Sequence, residues 1–331
     1  MPPRTNPLLG RSAMRMQGVT LVLVTLAAFG ILLSRTLELD GGVWSTVFTD
    51  MRLALEITHF GHVWIWRIPA LALLWLAWAW GRRHPAQAWT GWLMAAALAA
   101  IALTRSDTGH PADHGDFTLP VWIDWLHILA AGTWVGSLFG MTLAVFPRLL
   151  RQGRHSLATT AAVFQRLSTL SGIALAVLVA CGIYNVIQQL GPASALWTSR
   201  YGIALDVKLA LVLVMIGIGA HNRYLKLPRL RACAGLATQS SFLFGGRNRH
   251  EAAEASAGEV MRSCARAVLL EGVLGLAVIG TTGVLIHQMP PADAPPAANM
   301  RMTQSNSRSR PSMPRTAFSP HPQAELGGLA V

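Results

Sequence analysis

The chain has 331 residues, of which 52% are hydrophobic and only 13% are charged. A soluble domain usually carries about 25% charged residues, and here the apolar residues come in long blocks, so the composition argues against a soluble globular protein. The net charge of +12 does not indicate nucleic-acid binding, because the arginines cluster in short loops beside apolar segments. The three cysteines, Cys181, Cys233 and Cys264, have no paired spacing, which argues against a disulfide framework.

Seven apolar segments are long enough to cross about 30 Å of hydrocarbon as helices. They are residues 17–34, 63–80, 88–104, 120–146, 167–189, 202–222 and 266–287. The sequence therefore predicts an all-α fold, a polytopic transmembrane helical bundle of about seven spans. The first segment has the length of a secretory signal, but it lacks a small-residue cleavage site and is predicted to stay as a span.

Basic and acidic loops alternate along the chain. Arginines precede the first span, and the loops 35–62 and 105–119 are net acidic. Basic residues return in the loops 147–166 and 223–265. The positive-inside rule therefore predicts that the N-terminus, with a tail at 1–16, lies in the cytoplasm and that the C-terminus lies outside.

Histidines gather at the predicted outer face. The candidate metal ligands there are His59, His62, His110, His114, His127, His287 and Met289. Imidazole binds copper in either oxidation state, and thioether sulfur binds Cu(I), so this set indicates a copper site. Zinc or nickel would accept the same imidazoles. The alternative is that the loop histidines are solvated and that His59 and His62 are interfacial residues.

Two polar residues lie inside the fourth predicted span. Asp124 and His127 are three residues apart and share one helix face, among residues that are nearly all apolar or aromatic. Ionisable groups in a span are costly to bury, which makes them functional candidates. Asp124 is expected to accept the ring N–H of His127 opposite a metal and so fix its tautomer. The alternative is a structural hydrogen bond from His127 to a neighbouring helix.

Charged residues in other spans are predicted to support the bundle. Lys208, in the sixth span, is expected to pair with Asp124 or with Asp206. Arg67, one turn into the second span, is expected to extend its charge outward to the interface.

The predicted cytoplasmic half holds an acid and several soft ligands. Glu271, about one turn into the seventh span, is expected to pair with Arg266 or Arg166. The soft ligands assigned to the inner half are Cys181, Met141, Met215 and, near the end, His221. Because such residues usually belong to the core, an exit path through them is a hypothesis only.

Several short segments occur in the order of a known family. They are Asp124-Trp125-Leu126-His127, Trp134-Val135-Gly136, F-Q-R-L-S at 164–168, Y-G-I-A-L-D-V-K at 201–208 and T-x-x-G-x-x-W-x-x-R at 58–67. In this order they resemble the copper-resistance D (CopD-type) family of inner-membrane proteins.

The resemblance implies a function. It implies a multi-pass protein of the bacterial inner membrane that handles copper at the periplasmic face and is associated with copper uptake. The expected partners are copper ion, a periplasmic CopC-type copper-binding protein and the lipid bilayer. On this hypothesis the outer histidines and Met289 collect copper, and His127 with Asp124 passes it into the bundle, while Trp134 belongs to the same motif.

The resemblance also implies how the chain divides. A CopD-type transmembrane domain is expected at 120–290, with its core at 160–287, and N-terminal transmembrane segments and outer loops at 17–119. The tail 291–331 is rich in Pro, Ser, Asn and Arg and is predicted to be disordered. The family often has eight spans, whereas seven are found here. Asp206 also stands where the family more often has an apolar residue.

Two other functions remain open at this stage. Helical bundles bind haem b between histidines of facing helices, and His127 with His287 or His59 would supply such a pair. A partner or sensor subunit is the third hypothesis. The sequence has no nucleotide-binding glycine loop and no Ser/His/Asp or HExxH arrangement, so neither an enzyme activity nor ATP hydrolysis is predicted.

Overall fold

The computed structural model describes residues 7–39, 41–42, 44–109, 111–112, 115–152, 156–190, 194–236, 257–286 and 288. In these residues the regular structure is helical and no strand is formed. The helices are α1 (Pro7–Leu39), α2 (Val47–Ile57), α3 (His59–Ile65), α4 (Arg67–Arg83), α5 (Trp89–Ser106), α6 (Leu119–Gly140), α7 (Phe146–Gln152), α8 (Leu157–Leu190), α9 (Ala195–Thr198), α10 (Arg200–His221), α11 (Leu227–Cys233) and α12 (Ala257–Ile286). Two π-helical turns, Met141–Val145 and Asn222–Lys226, join α6 to α7 and α10 to α11.

Six helical stretches are long and apolar enough to cross a membrane by length and composition. They are Met14–Leu39, His59–Arg83, Leu119–Gln152, Leu157–Leu190, Arg200–Cys233 and Gly258–Leu285. Large apolar side chains are exposed along these stretches, as a helix surface that faces lipid requires. The predicted polytopic helical bundle is confirmed, while the orientation of the N-terminus stays a prediction.

The third predicted span, 88–104, is a helix but is not one of these six stretches. This helix, α5, has 18 residues, starts with Trp-Thr-Gly-Trp and ends with Thr-Arg-Ser, so its apolar run is shorter than those of the others. It packs along α4 and also contacts α6, which makes it part of the bundle.

The largest buried cluster lies where α6, α8, α10, α11 and α12 meet. Its members include Trp134, Leu138, Phe164, Met215 and Cys264. Trp134, which the sequence predicts to support the metal site, is thus a buried core residue seven positions along α6 from His127.

Two corners of the fold have the same construction. Thr58 and Ser199 are the N-caps of α3 and α10, and the side-chain oxygen of each accepts the backbone N–H of the glycine three residues on, Gly61 or Gly202, at 2.9 Å. Each cap N–H in turn donates to a carbonyl of the helix before it, at 3.2 Å. The two stretches read T-x-F-G-x-x-W-x-x-R and S-x-Y-G-x-x-L-x-x-K. A cation therefore follows each corner at the same spacing.

The first of these cations, Arg67, does not extend outward as predicted. It is 2% exposed and binds α5 instead. Its Nε donates to Thr104 Oγ1 at 2.8 Å, and its Nη2 donates to the Thr104 carbonyl at 3.1 Å and to Thr108 Oγ1 at 3.2 Å. The end of α5 leaves oxygen acceptors open, and the guanidinium binds several of them at once.

We expect Arg67→Met to lower the free energy of unfolding by about 2 kcal/mol, because hydrogen bonds to a charged group are lost and buried acceptors are left open. The measurement is the thermal midpoint of the purified protein in detergent. The matched control is Arg52→Met, which removes an exposed arginine that pairs with Glu56 on the surface of α2. Equal midpoints for the two variants would contradict the structural role of Arg67.

Candidate metal centre

One group of metal-binding side chains forms where α3, α5 and α6 come together. His59 begins α3, Asp107 caps the C-terminus of α5, and Asp116 lies in the turn before α6. His59 Nε2 lies 3.3 Å from Asp116 Oδ1 and 3.2 Å from the backbone oxygen of Asp107. One ligand atom from each of the three side chains lies within 4.8 Å of the others. In the part of the chain that the structure describes, it is the one such group of three.

This outer group, formed by His59, Asp107 and Asp116, is buried on one side and exposed to water on the other. Asp107 is buried, and its Oδ1 accepts the N–H of Phe117 at 3.4 Å. Phe117 has a φ of 56°, which a residue with a bulky side chain rarely adopts, so the loop is bent sharply at this point. The side chains of His59 and Asp116 are about half exposed, at 52% and 50%. An ion can therefore reach the group from water.

His62 does not join His59, although both were predicted as ligands of one face. Its Nε2 lies 2.9 Å from the backbone oxygen of Glu56. The last carbonyls of a helix have no partner within it, and α2 ends at Ile57, so the His62 imidazole satisfies one of them. The prediction that His62 is a ligand has no support from this geometry.

Four further predicted ligands cannot be located. His110, His114, His287 and Met289 lie outside the described residues. His110 and His114 stand in the sequence between Asp107 and Asp116.

Asp124 faces α5 rather than His127. Its carboxylate lies close to the Ser106 side chain and interacts electrostatically with Arg105 and Lys208. The Ser106 hydroxyl donates to the backbone oxygen of Val121 at 2.7 Å, which ties α5 to α6. The predicted hydrogen bond from His127 to Asp124 is therefore wrong: the short aspartate side chain meets α5, while the imidazole meets α8.

His127 packs against α8 and keeps one nitrogen unused. Its Cε1 would lie 3.8 Å from a Cβ placed on Gly182, and the ring interacts with the backbone of Leu178. Its Nδ1 is buried and has no hydrogen-bond partner among the described residues. The predicted alternative, a structural contact with a neighbouring helix, thus holds for part of the ring, while Nδ1 retains a free lone pair or N–H.

Lys208 is the cation of an intramembrane group that it forms with Asp124 and His127. It interacts electrostatically with Asp124, one of the two partners predicted for it. Asp206 is exposed, because two residues along a helix correspond to about 200° of rotation and put the two side chains on opposite sides of α10. The extra carboxylate of Asp206 therefore does not belong to the site.

Cys181 is the functional candidate that sequence reasoning placed wrongly. The prediction put it in the inner half of the bundle, but its side chain interacts electrostatically with Asp124 and is 6% exposed. The register of α6 against α8 explains the position, since Gly182, the next residue, faces His127. An antiparallel count from the ends of the two predicted spans would have given this pairing.

Glu271 has a different partner from those predicted. It is buried and accepts a hydrogen bond from Asn222 Nδ2, with Lys226 in electrostatic range. Asn222 opens the π-helical turn after α10, and such a wider turn reorients side chains toward the neighbouring helix. Neither Arg266 nor Arg166 is needed to hold this carboxylate.

The chain matches two family models. Residues 161–285 match the model "Copper resistance protein D", and residues 1–119 match "Copper resistance protein D-like, N-terminal domain". The chain is similar to copper resistance protein D of Pseudomonas syringae pv. tomato, with 29% identity over 67% of this chain and 70% of that protein. No solved structure matches it significantly.

Two further relatives come from other bacteria. Copper transport protein CutJ of Bacillus subtilis (strain 168) is 27% identical over 59% of this chain, which spans only 37% of CutJ. Inner membrane protein YebZ of Escherichia coli (strain K12) is 27% identical over 62% of this chain and 70% of YebZ. The two family models and the helical bundle agree. The chain is a multi-pass membrane protein of copper homeostasis and belongs to the copper resistance protein D family.

Proposed function

We propose that this protein binds copper at the periplasmic face of the bacterial inner membrane and mediates its uptake across the membrane without hydrolysing ATP. The observation that carries this proposal is the group formed by His59, Asp107 and Asp116, whose ligand atoms lie within 4.8 Å of one another. The loop charges support the orientation, because the group lies at the acidic end of the bundle, where few arginines are found.

The donor set suits a divalent first-row ion in an open site. One imidazole nitrogen and two carboxylate oxygens are ligands that copper accepts, and zinc accepts them as well. Membership of the copper resistance protein D family favours copper over zinc. The exposure of His59 and Asp116 allows exchange with a carrier, and we propose that a periplasmic CopC-type protein delivers the ion here.

The intramembrane group is the second position that the ion would occupy on its path across the membrane. Asp124, His127 and Lys208 belong to α6 and α10, within the bundle, and burial of such groups in a span costs free energy that a structural role alone does not require. The relative CutJ is named a copper transport protein, which supports movement of copper rather than storage.

Haem binding is less well supported. A b-type haem needs two histidines on facing helices. The neighbours that the structure gives for the His127 ring are Leu178, Gly182 and Lys208, none of which is a haem ligand. His59 lies against Asp107 and Asp116 instead.

The test compares two histidines on one short helix. We expect His59→Ala to weaken Cu(II) binding by the purified protein at least about tenfold, since loss even of a residue that only orients a ligand costs 10–100-fold. Copper accumulation by cells that express the variant should fall as well. His62→Ala is the matched control and should bind like the parent, because His62 bonds to the Glu56 backbone.

Asp116→Asn provides the second measurement and should also weaken Cu(II) binding, since it replaces an exposed carboxylate ligand by an amide. Equal affinities for the His59→Ala and His62→Ala proteins would overturn the outer site.

A further inference from the structure

A cavity of about 590 Å³ lies between α10 and α12, where α10 ends and α12 begins. This volume is in the range of small-molecule binding sites. One wall is a single face of α12, whose residues at spacings of three or four are Glu259, Arg262, Arg266 and Leu270. The other wall consists of Ile218 and His221 on α10 and of Lys226 in the π-helical turn that follows.

Positive charge dominates the polar part of this α10–α12 cavity. Lys226, Arg262 and Arg266 line it, and in the described part of the chain Glu259 is the one carboxylate in its wall. None of these three cations forms a salt bridge with a described residue. A concave group of cations that lack bonded carboxylates attracts an anion.

Two of the three cations are positioned by contacts with α12. Lys226 Nζ donates to the backbone oxygen of Ser263 at 3.0 Å, which is a neutral acceptor. Arg262 folds back toward the first turn of α12, since its Nη1 would lie 3.6 Å from a Cβ on Gly258. Glu271 interacts electrostatically with Lys226, but it is buried and does not line the cavity. The arginine guanidinium has the planar geometry that binds two phosphate oxygens at once.

The remaining part of the cavity is apolar and continues along the outer surface of the spans. Ile218 of α10 and Leu270 of α12 line this part. One turn further from the cations, Val214 and Val273 are each 52% exposed and share the helix faces of Ile218 and Leu270. Inorganic phosphate gains nothing from an apolar surface, whereas a phospholipid buries an acyl chain against it.

We propose that the α10–α12 cavity binds an anionic phospholipid. The headgroup phosphate lies among Lys226, Arg262 and Arg266, and an acyl chain follows Ile218 and Leu270 along the spans. The loop charges predict that this end of the bundle faces the cytoplasm, where the leaflet is anionic and where basic pockets between spans bind lipid headgroups. The site does not depend on copper binding, so its test is separate from that of the outer group.

The experiment measures binding of dioctanoyl phosphatidylglycerol to the purified full chain in an uncharged maltoside detergent. Dioctanoyl phosphatidylcholine, in which choline cancels the phosphate charge, and inorganic phosphate are the comparison ligands. We expect phosphatidylglycerol to bind at least about tenfold more tightly than either, because it alone combines a net negative charge with acyl chains. Inorganic phosphate that binds as tightly would assign the cavity to a free anion, and equally tight phosphatidylcholine would remove the role of charge. Either result would overturn the proposal.

A pair of double variants tests whether the cavity itself attracts the lipid. Arg262→Gln with Arg266→Gln is expected to weaken phosphatidylglycerol binding at least about tenfold, since each basic residue at a membrane surface contributes about fivefold. The matched control is Arg82→Gln with Arg83→Gln, which removes two exposed arginines from the last turn of α4, outside the cavity. This control should bind the lipid like the parent.

Glu259→Gln provides a readout that misfolding cannot produce. It removes the carboxylate from the cavity wall, so phosphatidylglycerol is expected to bind at least about twofold more tightly. Equal losses in the two arginine double variants would mean that the whole basic surface attracts the lipid, and they would overturn the site. Unchanged or weaker binding by the Glu259→Gln protein would place the phosphate elsewhere.

Discussion

Cells that express the His127→Ala variant are expected to accumulate no more copper than cells without the protein. The imidazole lies within the membrane-spanning helix α6, packs against Gly182 of α8 and interacts electrostatically with Lys208 of α10. Its Nδ1 has no hydrogen-bond partner among the described residues, so this nitrogen is available for the proposed copper binding. Removing the ring therefore interrupts the path between the outer group and the rest of the bundle.

His127→Gln separates a metal ligand from a structural residue. The glutamine side chain is polar and of similar length, but it offers no nitrogen at the position of Nδ1. We expect this variant to accumulate in the membrane like the parent and still fail to raise cellular copper. Copper accumulation at the parental level in the His127→Gln cells would show that His127 only joins α6 to α8.

The helices were predictable because each one repeats the same signal over a long stretch. Within lipid, the backbone polar groups of an apolar segment must bond to one another, as they do in a helix. The described part of each of the seven predicted segments is accordingly helical over nearly all of its length. Their lengths were less predictable. For example, α8 covers Leu157–Leu190 where residues 167–189 were predicted, because a helix does not end where its contact with hydrocarbon ends.

The sequence predicted His59 as a ligand of the outer group, but it did not predict Asp107 and Asp116. His59 and His62 stand one turn apart on α3, yet contacts outside this helix decide their roles. The backbone oxygen of Asp107, 48 positions beyond His59, lies next to the His59 imidazole. The His62 imidazole instead binds the backbone oxygen of Glu56 at the end of α2. The pairing of Glu271 with Asn222, 49 positions apart, has the same cause. Such contacts depend on how helices pack, which periodicity does not encode.

Gly202→Ala is expected to prevent the protein from accumulating in the membrane. A Cβ on this residue would overlap the backbone carbonyls of Ala195 and Leu196 in α9. Backbone oxygens cannot rotate away as a side chain can, so α9 and α10 must separate, at a cost above the 1–3 kcal/mol that is usual for overpacking. The separation also breaks the bond from the Gly202 N–H to the Ser199 side chain. The effect of Gly202→Ala is measured as the yield of folded protein from the membrane and as the thermal midpoint of the purified protein.

The same helix supplies the control for this substitution. Gly217 has no described atom within 4 Å of its Cβ position, so Gly217→Ala should be neutral or slightly stabilising, because alanine is the better helix former. The first corner predicts a parallel result: Gly61→Ala would overlap the Ala54 carbonyl and should fail as Gly202→Ala does. Normal yields of both corner variants would mean that the caps at Thr58 and Ser199 do not set the angle between the helices. Failure of both, with Gly217→Ala intact, would show that each corner requires glycine at this position.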